Sequence, residues 1–343
     1  MTTVLNASEV EIVVVPRERY QPTIPSLERL VAATPPEVPL VLVRGGMPDH
    51  MVRAAKVIGG SRLRVVGPRR HLAPNAARSI GLDHVTAKFV MFLDNDVSCD
   101  MGWLQPLIET AVDRGAWAVR PIILQRVGDR VTIHEAGGDC RLESHEGALC
   151  LIESHRYRDK SLGELSGLRT EPVEMFEFHA VLFDRDRLLS LGGPDEAMLA
   201  SADHLDLGIR VHEAGGDIWI EPSSQVIYEV PSKVVMKDLP FFLGRWSPRW
   251  AKSSRDAFVA KHNIDPDLRP NTWSYPNKHR AYAWRFIARL CRTLYPRSSR
   301  WRFVSKIDTI CSRIMDRTIG RFIAEACLRF APRWRGGGLR GDG

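Results

Sequence analysis

Asp94-Asn95-Asp96 directly follows the apolar run Phe89-Val90-Met91-Phe92-Leu93. Two carboxylates alternating along a short extended stretch can hold a hard cation, since Mg²⁺ is usually bound by one or two carboxylates plus substrate phosphates. Open α/β sheets bind ligands at the carboxyl ends of their strands, where this motif falls. At ordinary composition D-x-D arises about once by chance in a chain of this size, so position carries the weight. A second grouping, Ser201-Ala202-Asp203-His204-Leu205-Asp206-Leu207, lies behind the loop Gly192-Gly193-Pro194-Asp195-Glu196 and opens a helical pattern. A carboxylate or imidazole at a helix start can take a proton from an incoming hydroxyl. The plainer assignments are an N-cap carboxylate for Asp203 and a helix-dipole partner for Asp206. His134 and His179 sit beside or within strand-like segments and read first as structural histidines. Arg245-Trp246 either lines a cleft or forms a packing turn.

The elements that must position these groups alternate between strand and helix, the pattern of an α/β domain with a largely parallel sheet. Strands are expected at residues 11–15, 39–43, 63–66, 88–93, 117–124, 176–183, 217–220 and 225–230. Helices are expected at 25–33 with Ser26 near the cap, 49–57, from Pro74 onward, 103–113, 186–190 and 203–213. The helix behind Pro74 offers the small face Ala76-Ala77-Ile80 to the sheet, and Pro is tolerated in a first helical turn. Residues 128–168 read as hairpins and loops.

In order along the chain stand the first strand stopped by Pro16, Ala76-Ala77-Arg78, Phe89 to Asp96 with Trp103-Leu104 behind it, Gly192 to Glu196, and Asp203 to Leu207 with Arg210 and Gly215 after it. Over roughly residues 10–230 this order resembles the family 2 glycosyltransferases of the GT-A fold. The resemblance implies an α/β fold with a mostly parallel mixed sheet flanked by helices, here with a basic helical C-terminal extension. It implies transfer of a sugar from a nucleotide-diphosphate sugar donor to a hydroxyl acceptor, a surface polysaccharide or lipid-linked glycan, with inversion. It further implies Mn²⁺ or Mg²⁺ on the donor diphosphate, held at Asp94 and Asp96. Donor contacts are expected at Pro16, Arg17, Arg44, Arg78, Asp94 and Asn95, and acceptor contacts at His179, Asp195, Glu196, Arg245 and Trp246. The family's catalytic Asp falls on His204, with Asp203 where a Glu is usual, so either residue can be the base; Asp203 is the first choice. Arg44-Gly45-Gly46-Met47 replaces the acidic residue and Gly-Ser turn of the family, and Ser79 stands where Asn is common, which leaves the donor open. A sugar nucleotidyltransferase and a non-catalytic nucleotide-sugar binder of the same fold are the alternatives.

The chain has 343 residues, 44% hydrophobic and 26% charged, which excludes a mainly disordered protein. Its apolar runs are strand-sized, so no segment is expected to span a bilayer. Met1 to Val10 lacks an apolar h-region, so no secretory leader is expected. The six cysteines show no C-x-x-C, which points to reduced thiols in a cytoplasm and away from a structural zinc. A G-x-G-x-x-G behind the first strand and a P-loop are both missing, which argues against dinucleotide oxidoreductases and P-loop enzymes. The net charge of +7 is unevenly spread, because residues 278–343 hold sixteen Lys and Arg against four acids and the rest is net acidic. This sets an expected border near residue 277, and with the extent of the resemblance the expected boundaries are 1–230 for the transferase domain, 231–277 for a connecting segment with acceptor-side elements and 278–343 for a basic tail. Residues 281–295 and 303–330 read as amphipathic helices, suited either to an anionic membrane surface or to packing on the body. No nucleic-acid recognition motif accompanies the basic charge. The expected location is cytoplasmic, with peripheral attachment to the inner face of the cell membrane.

Overall fold

The computed structural model describes residues 9–165, 167–230, 234–265 and 301–330. The first strand, Val10–Val15 (β1), is buried along its whole length, as expected of a β-branched run covered on both faces of a parallel sheet. It pairs in parallel with Leu40–Val43 (β2) and with Phe89–Asp94 (β4), while β2 pairs in parallel with Leu63–Val66 (β3). Beyond β4 the sheet turns antiparallel through Ala180–Asp184 (β11), which also pairs with Ala118–Val127 (β6). Parallel pairing resumes between β6 and Ile218–Glu229 (β12). With Val97–Cys99 (β5), Arg130–Glu135 (β7) and Glu171–Val173 (β10) on its margins, the described sheet has ten strands and is mixed. Gly138–His145 (β8) and Ala148–His155 (β9) make a separate hairpin.

Helices Thr23–Ala33 (α1), Asp49–Gly59 (α2), Pro74–Leu82 (α3), Gln105–Arg114 (α4), Arg185–Ser190 (α5) and Asp203–Glu213 (α6) follow the expected order. In α3 the close approach to the sheet depends on Gly81, where an added Cβ would lie 2.2 Å from Val13 Cγ1. Three expectations need correction. Ser26 does not cap α1, which begins at Thr23 behind Pro22, so Ser26 lies in the helix and is buried. The strand expected at 176–183 starts only at Ala180, because the backbone N–H of Ala180 turns back to the carbonyl of Glu177 and that of Asp94 takes the carbonyl of His179. The two strands expected near 217–230 are one strand, β12, with a register shift between Glu221 and Gln225 at Pro222, which has no N–H for the ladder.

Leu239–Arg245 (α7) and Pro248–His262 (α8) follow the sheet and pack into it: Phe241 joins the core over β1 and β4, and Phe258 joins the core beneath α6. Ser247 caps α8 by accepting from the Trp250 N–H. From the tail, Trp301–Met315 (α9) and Arg321–Phe330 (α10) are joined by a π-turn at Asp316–Gly320. Ala324 of α10 is buried against Phe242, Leu243 and Trp246. The helix expected at 281–295 lies outside the described residues. Cys99, Cys140, Cys150 and Cys311 are free thiols.

Candidate active site

A cavity of about 730 Å³ opens at the carboxyl end of β4, within the usual size range of small-ligand sites. Its walls come from the loop after β1 (Arg17), α3 (Arg78), β4 (Asp94), the β8–β9 hairpin (Leu151 to His155), the turn before β11 (Glu177 to His179), the start of α6 (Ala202 to His204) and the end of α7 (Arg245, Trp246). Residues far apart in the chain thus converge on one space.

Arg78 ties the two sequence motifs together. Its side chain is 2% exposed; Nη2 donates to Asp94 Oδ1 at 3.1 Å and Nη1 to Asp203 Oδ2 at 2.8 Å. Phe178 lies against the guanidinium at 3.7 Å, which keeps it rigid and dry. Burial pushes Asp94 up to about 6 against the pull of Arg78 and Arg17, whose Nε stands 3.7 Å from Asp94 Oδ2. Asp96 is fully buried, does not line the cavity, and pairs with Arg19 at 3.2 Å; burial raises its carboxyl above the ordinary value. Asn95 is structural: it accepts from the Arg17 N–H and donates to Arg19 O and Thr23 Oγ1, fixing the loop after β1.

Asp203 is the first residue of α6 rather than its cap; the cap position belongs to Ala202, held in the left-handed region at φ 64°. A non-glycine residue there costs on the order of 1–2 kcal/mol and turns Asp203 and His204 into the cavity wall. His204 Nδ1 stands 3.5 Å from Asp203 Oδ1, while its Nε2 is buried without a hydrogen-bond partner. Burial works to raise Asp203, yet His204, Arg78 and Arg245 together hold it far below the carboxylate range. Burial works to lower His204, but Asp203 and Glu177 outweigh it and raise the imidazole above its ordinary value.

Of the other expected contacts, His179, Arg245 and Trp246 line the cavity. Arg245 donates from Nη1 to the Ala200 carbonyl, burial brings it down to about 10, and Trp246 donates to Glu18 Oε2 at 2.8 Å. Pro16 and Arg44 are not in the cavity wall; Arg44 pairs with Asp49 at 2.8 Å, at the mouth of α2. Asp195 binds Lys261 of α8 at 2.7 Å and Glu196 is exposed, so neither reaches it. Asp206 faces away from the cavity into a cluster of Arg210, Lys261 and His262.

Sequence reasoning missed Glu153, His155, Arg158 and Glu177, all in the wall. The alternation Phe176-Glu177-Phe178-His179 carried a signal, since polar residues inside an aromatic run need a polar space to face.

Residues 12–163 match the family model of glycosyl transferase family 2. Polypeptide N-acetylgalactosaminyltransferase 15 of Mus musculus is 24% identical over 292 residues, 78% of this chain and 43% of that protein. Pre-mycofactocin glycosyltransferase of Mycobacterium tuberculosis (strain ATCC 25618 / H37Rv) is 30% identical over 156 residues, 46% of this chain and 30% of that protein. The chain thus spans under half the length of these curated relatives. The crystal structure of GalNAc-T7 with UDP, GalNAc and Mn²⁺ superposes with a TM-score of 0.52 at 16% identity, covering 85% of this chain and 59% of that one. The chain thus has the GT-A fold, and residues 12–163 within it are similar to glycosyl transferase family 2.

Proposed function

We propose that this protein transfers a sugar from a nucleotide-diphosphate sugar to a hydroxyl of a glycan or lipid-linked acceptor, with inversion. The observation that carries the reading is the Arg78 bridge, which joins the strand-end carboxylate Asp94 to the helix-start carboxylate Asp203 in one cavity wall. A donor diphosphate entering this cavity meets Arg17, Arg78 and Arg245, cations already desolvated and therefore strong partners for developing negative charge.

His204 is the group best suited to take the acceptor proton. Asp203 has both oxygens engaged and is too weak a base, whereas it steers the His204 ring through Nδ1 and leaves Nε2 without a hydrogen-bond partner in a residue of the cavity wall. The first choice from sequence, Asp203, becomes the positioning residue. Asp94 and Asp96 fit a divalent cation: their ligand atoms lie within 4.8 Å of one another, and Asp96 Oδ1 is buried without a hydrogen bond. When bound there, Mn²⁺ or Mg²⁺ would supply Lewis-acid compensation for the leaving diphosphate.

For the tail we propose contact with an anionic membrane surface. Ile307, Ile310, Ile314 and Phe322 are 40–75% exposed, and Lys306, Arg313, Arg317 and Arg321 share the outward side. An apolar stripe among arginines complements a lipid surface in both chemistry and charge.

Calorimetry with nucleoside diphosphates and Mn²⁺ tests the donor site. Binding that falls at least tenfold in Arg78→Met is expected; equal affinity in the two proteins overturns the assignment of the cavity.

A further inference from the structure

Glu177 is ringed by imidazoles from separate elements. His134 Nε2 of β7 stands 3.6 Å from Glu177 Oε1, and His179 Nε2 stands 3.6 Å from Glu177 Oε2. His155 of β9 lies farther out, with Nδ1 at 3.8 Å. The rings of His134 and His179 are 5.1 Å apart and nearly perpendicular, so they converge on the carboxylate from two directions.

Proton bookkeeping does not satisfy this cluster. His134 Nδ1 is 3.1 Å from Gln125 Oε1, an atom that only accepts; the Gln125 amide orientation is set by donation to Asp159 at 2.7 Å. Nδ1 of His134 therefore carries the proton, and in the neutral ring Nε2 faces a carboxylate oxygen acceptor to acceptor. His179 lies between two carboxylates, with Nδ1 3.3 Å from Asp94 Oδ2 and Nε2 facing Glu177, so the single proton of its neutral ring leaves one nitrogen in the same difficulty; its side chain is 1% exposed and neither nitrogen is hydrogen-bonded. A cation between facing acceptors of this kind satisfies both.

We propose that His134 Nε2, His179 Nε2 and Glu177 form a binding site for a nitrogen-preferring divalent cation of the Zn²⁺ class, separate from the carboxylate pair at Asp94 and Asp96. Tetrahedral bonds of about 2.1 Å put donor atoms roughly 3.4 Å apart, close to the separations found here. Glu177 and His179 line the cavity, so the fourth position opens toward the ligand space. Gln125 is the outer partner that orients the His134 ring, as metal-bound histidines require. Two imidazoles favour Zn²⁺ over Mg²⁺, which prefers oxygen ligands. The site goes beyond the transfer reaction proposed above, and its test reads metal binding rather than turnover.

Metal-stripped full-length protein is titrated with Co²⁺, and the visible ligand-field band reports coordination number. One equivalent with the intense band of a four-coordinate ion, displaced by Zn²⁺ and not by Mg²⁺, is expected. His134→Gln and Glu177→Gln should each weaken binding at least tenfold, and Gln125→Leu by roughly 10–100-fold. Asp96→Asn should leave it unchanged. If His134→Gln does not fold, X-ray absorption at the zinc edge of the wild-type protein decides: scattering from two imidazoles supports the site, and an all-oxygen shell overturns it. The proposal also fails if no stoichiometric Co²⁺ band appears, or if the band survives His134→Gln and is lost in Asp96→Asn.

Discussion

In the proposed reaction His204 is the base, which concentrates the chemistry of the site in one ring nitrogen. A base must be deprotonated to act, so a raised imidazole value shifts the rising limb of the pH–rate profile to higher pH than an unperturbed histidine gives. Turnover is predicted to climb with pH through this shifted value. His204→Gln should lower turnover by about 10²–10⁴-fold and abolish the limb, while nucleoside-diphosphate affinity stays within twofold. Asp203→Asn should move the limb toward lower pH, because the ring loses the carboxylate that favours its charged form. A limb unchanged in Asp203→Asn would mean that the carboxylate does not act through His204. Asp94 and the Asp203-His204 pair were legible in the sequence because each sits at an element end that apolar periodicity marks, and Arg78 because it follows the small Ala76-Ala77 face of the helix behind Pro74. Glu177 and His155 were not, because their role depends on a turn and a hairpin whose placement needs the tertiary fold.

At the scale of elements, α6 is held to α8 by Asp206, which was read from sequence as a dipole partner. Its buried carboxylate accepts from Arg210 Nε at 2.9 Å and faces His262 Nε2 at 2.9 Å and Lys261 Nζ at 2.9 Å. Burial works to raise Asp206, but His262, Arg210 and Lys261 outweigh it and hold it below the ordinary value. A carboxylate lowered in the folded state stabilises fully above its unfolded value near pH 4, and this contribution fades as pH falls below that value. Asp206→Ala is predicted to cost about 3 kcal/mol at pH 7, since it leaves Arg210 and His262 without their partner. Chemical denaturation should show the difference from wild type shrinking below pH 4; a constant difference down to pH 2 would remove the linkage. In α3, Gly81→Ala should destabilise by about 1–3 kcal/mol in the same assay, because the clash with Val13 outweighs the roughly 1 kcal/mol gain in helix propensity. A stabilised variant would mean that α3 does not pack this closely on β1. The strands of the parallel half were readable as unbroken apolar runs. α7 and α8 were not, since Arg245-Trp246-Ser247-Pro248 reads equally as a turn or as a cleft wall, and it proves to be both.

At the scale of the molecule, an acidic body carries a basic tail, and α10 docks on α7 beside the cavity wall. No helix among the described residues is long and apolar enough to cross a membrane. Full-length protein is predicted to co-sediment with anionic vesicles and not with neutral ones, with binding weakening as salt screens the arginines. Equal and negligible sedimentation with both would leave the tail as a packing element only. The inner side of α10 packs on the body, and exposed basic and apolar residues lie on the outer side of the tail helices. The central claim is the reaction itself. Incubating the full chain with a panel of nucleotide sugars, Mn²⁺ and hydroxyl acceptors, and measuring released nucleoside diphosphate, tests it most directly. Release above the uncatalysed rate with at least one donor, lost in His204→Gln and in Arg78→Met, is the predicted result. No release with any donor, or release unaffected by both substitutions, would contradict it.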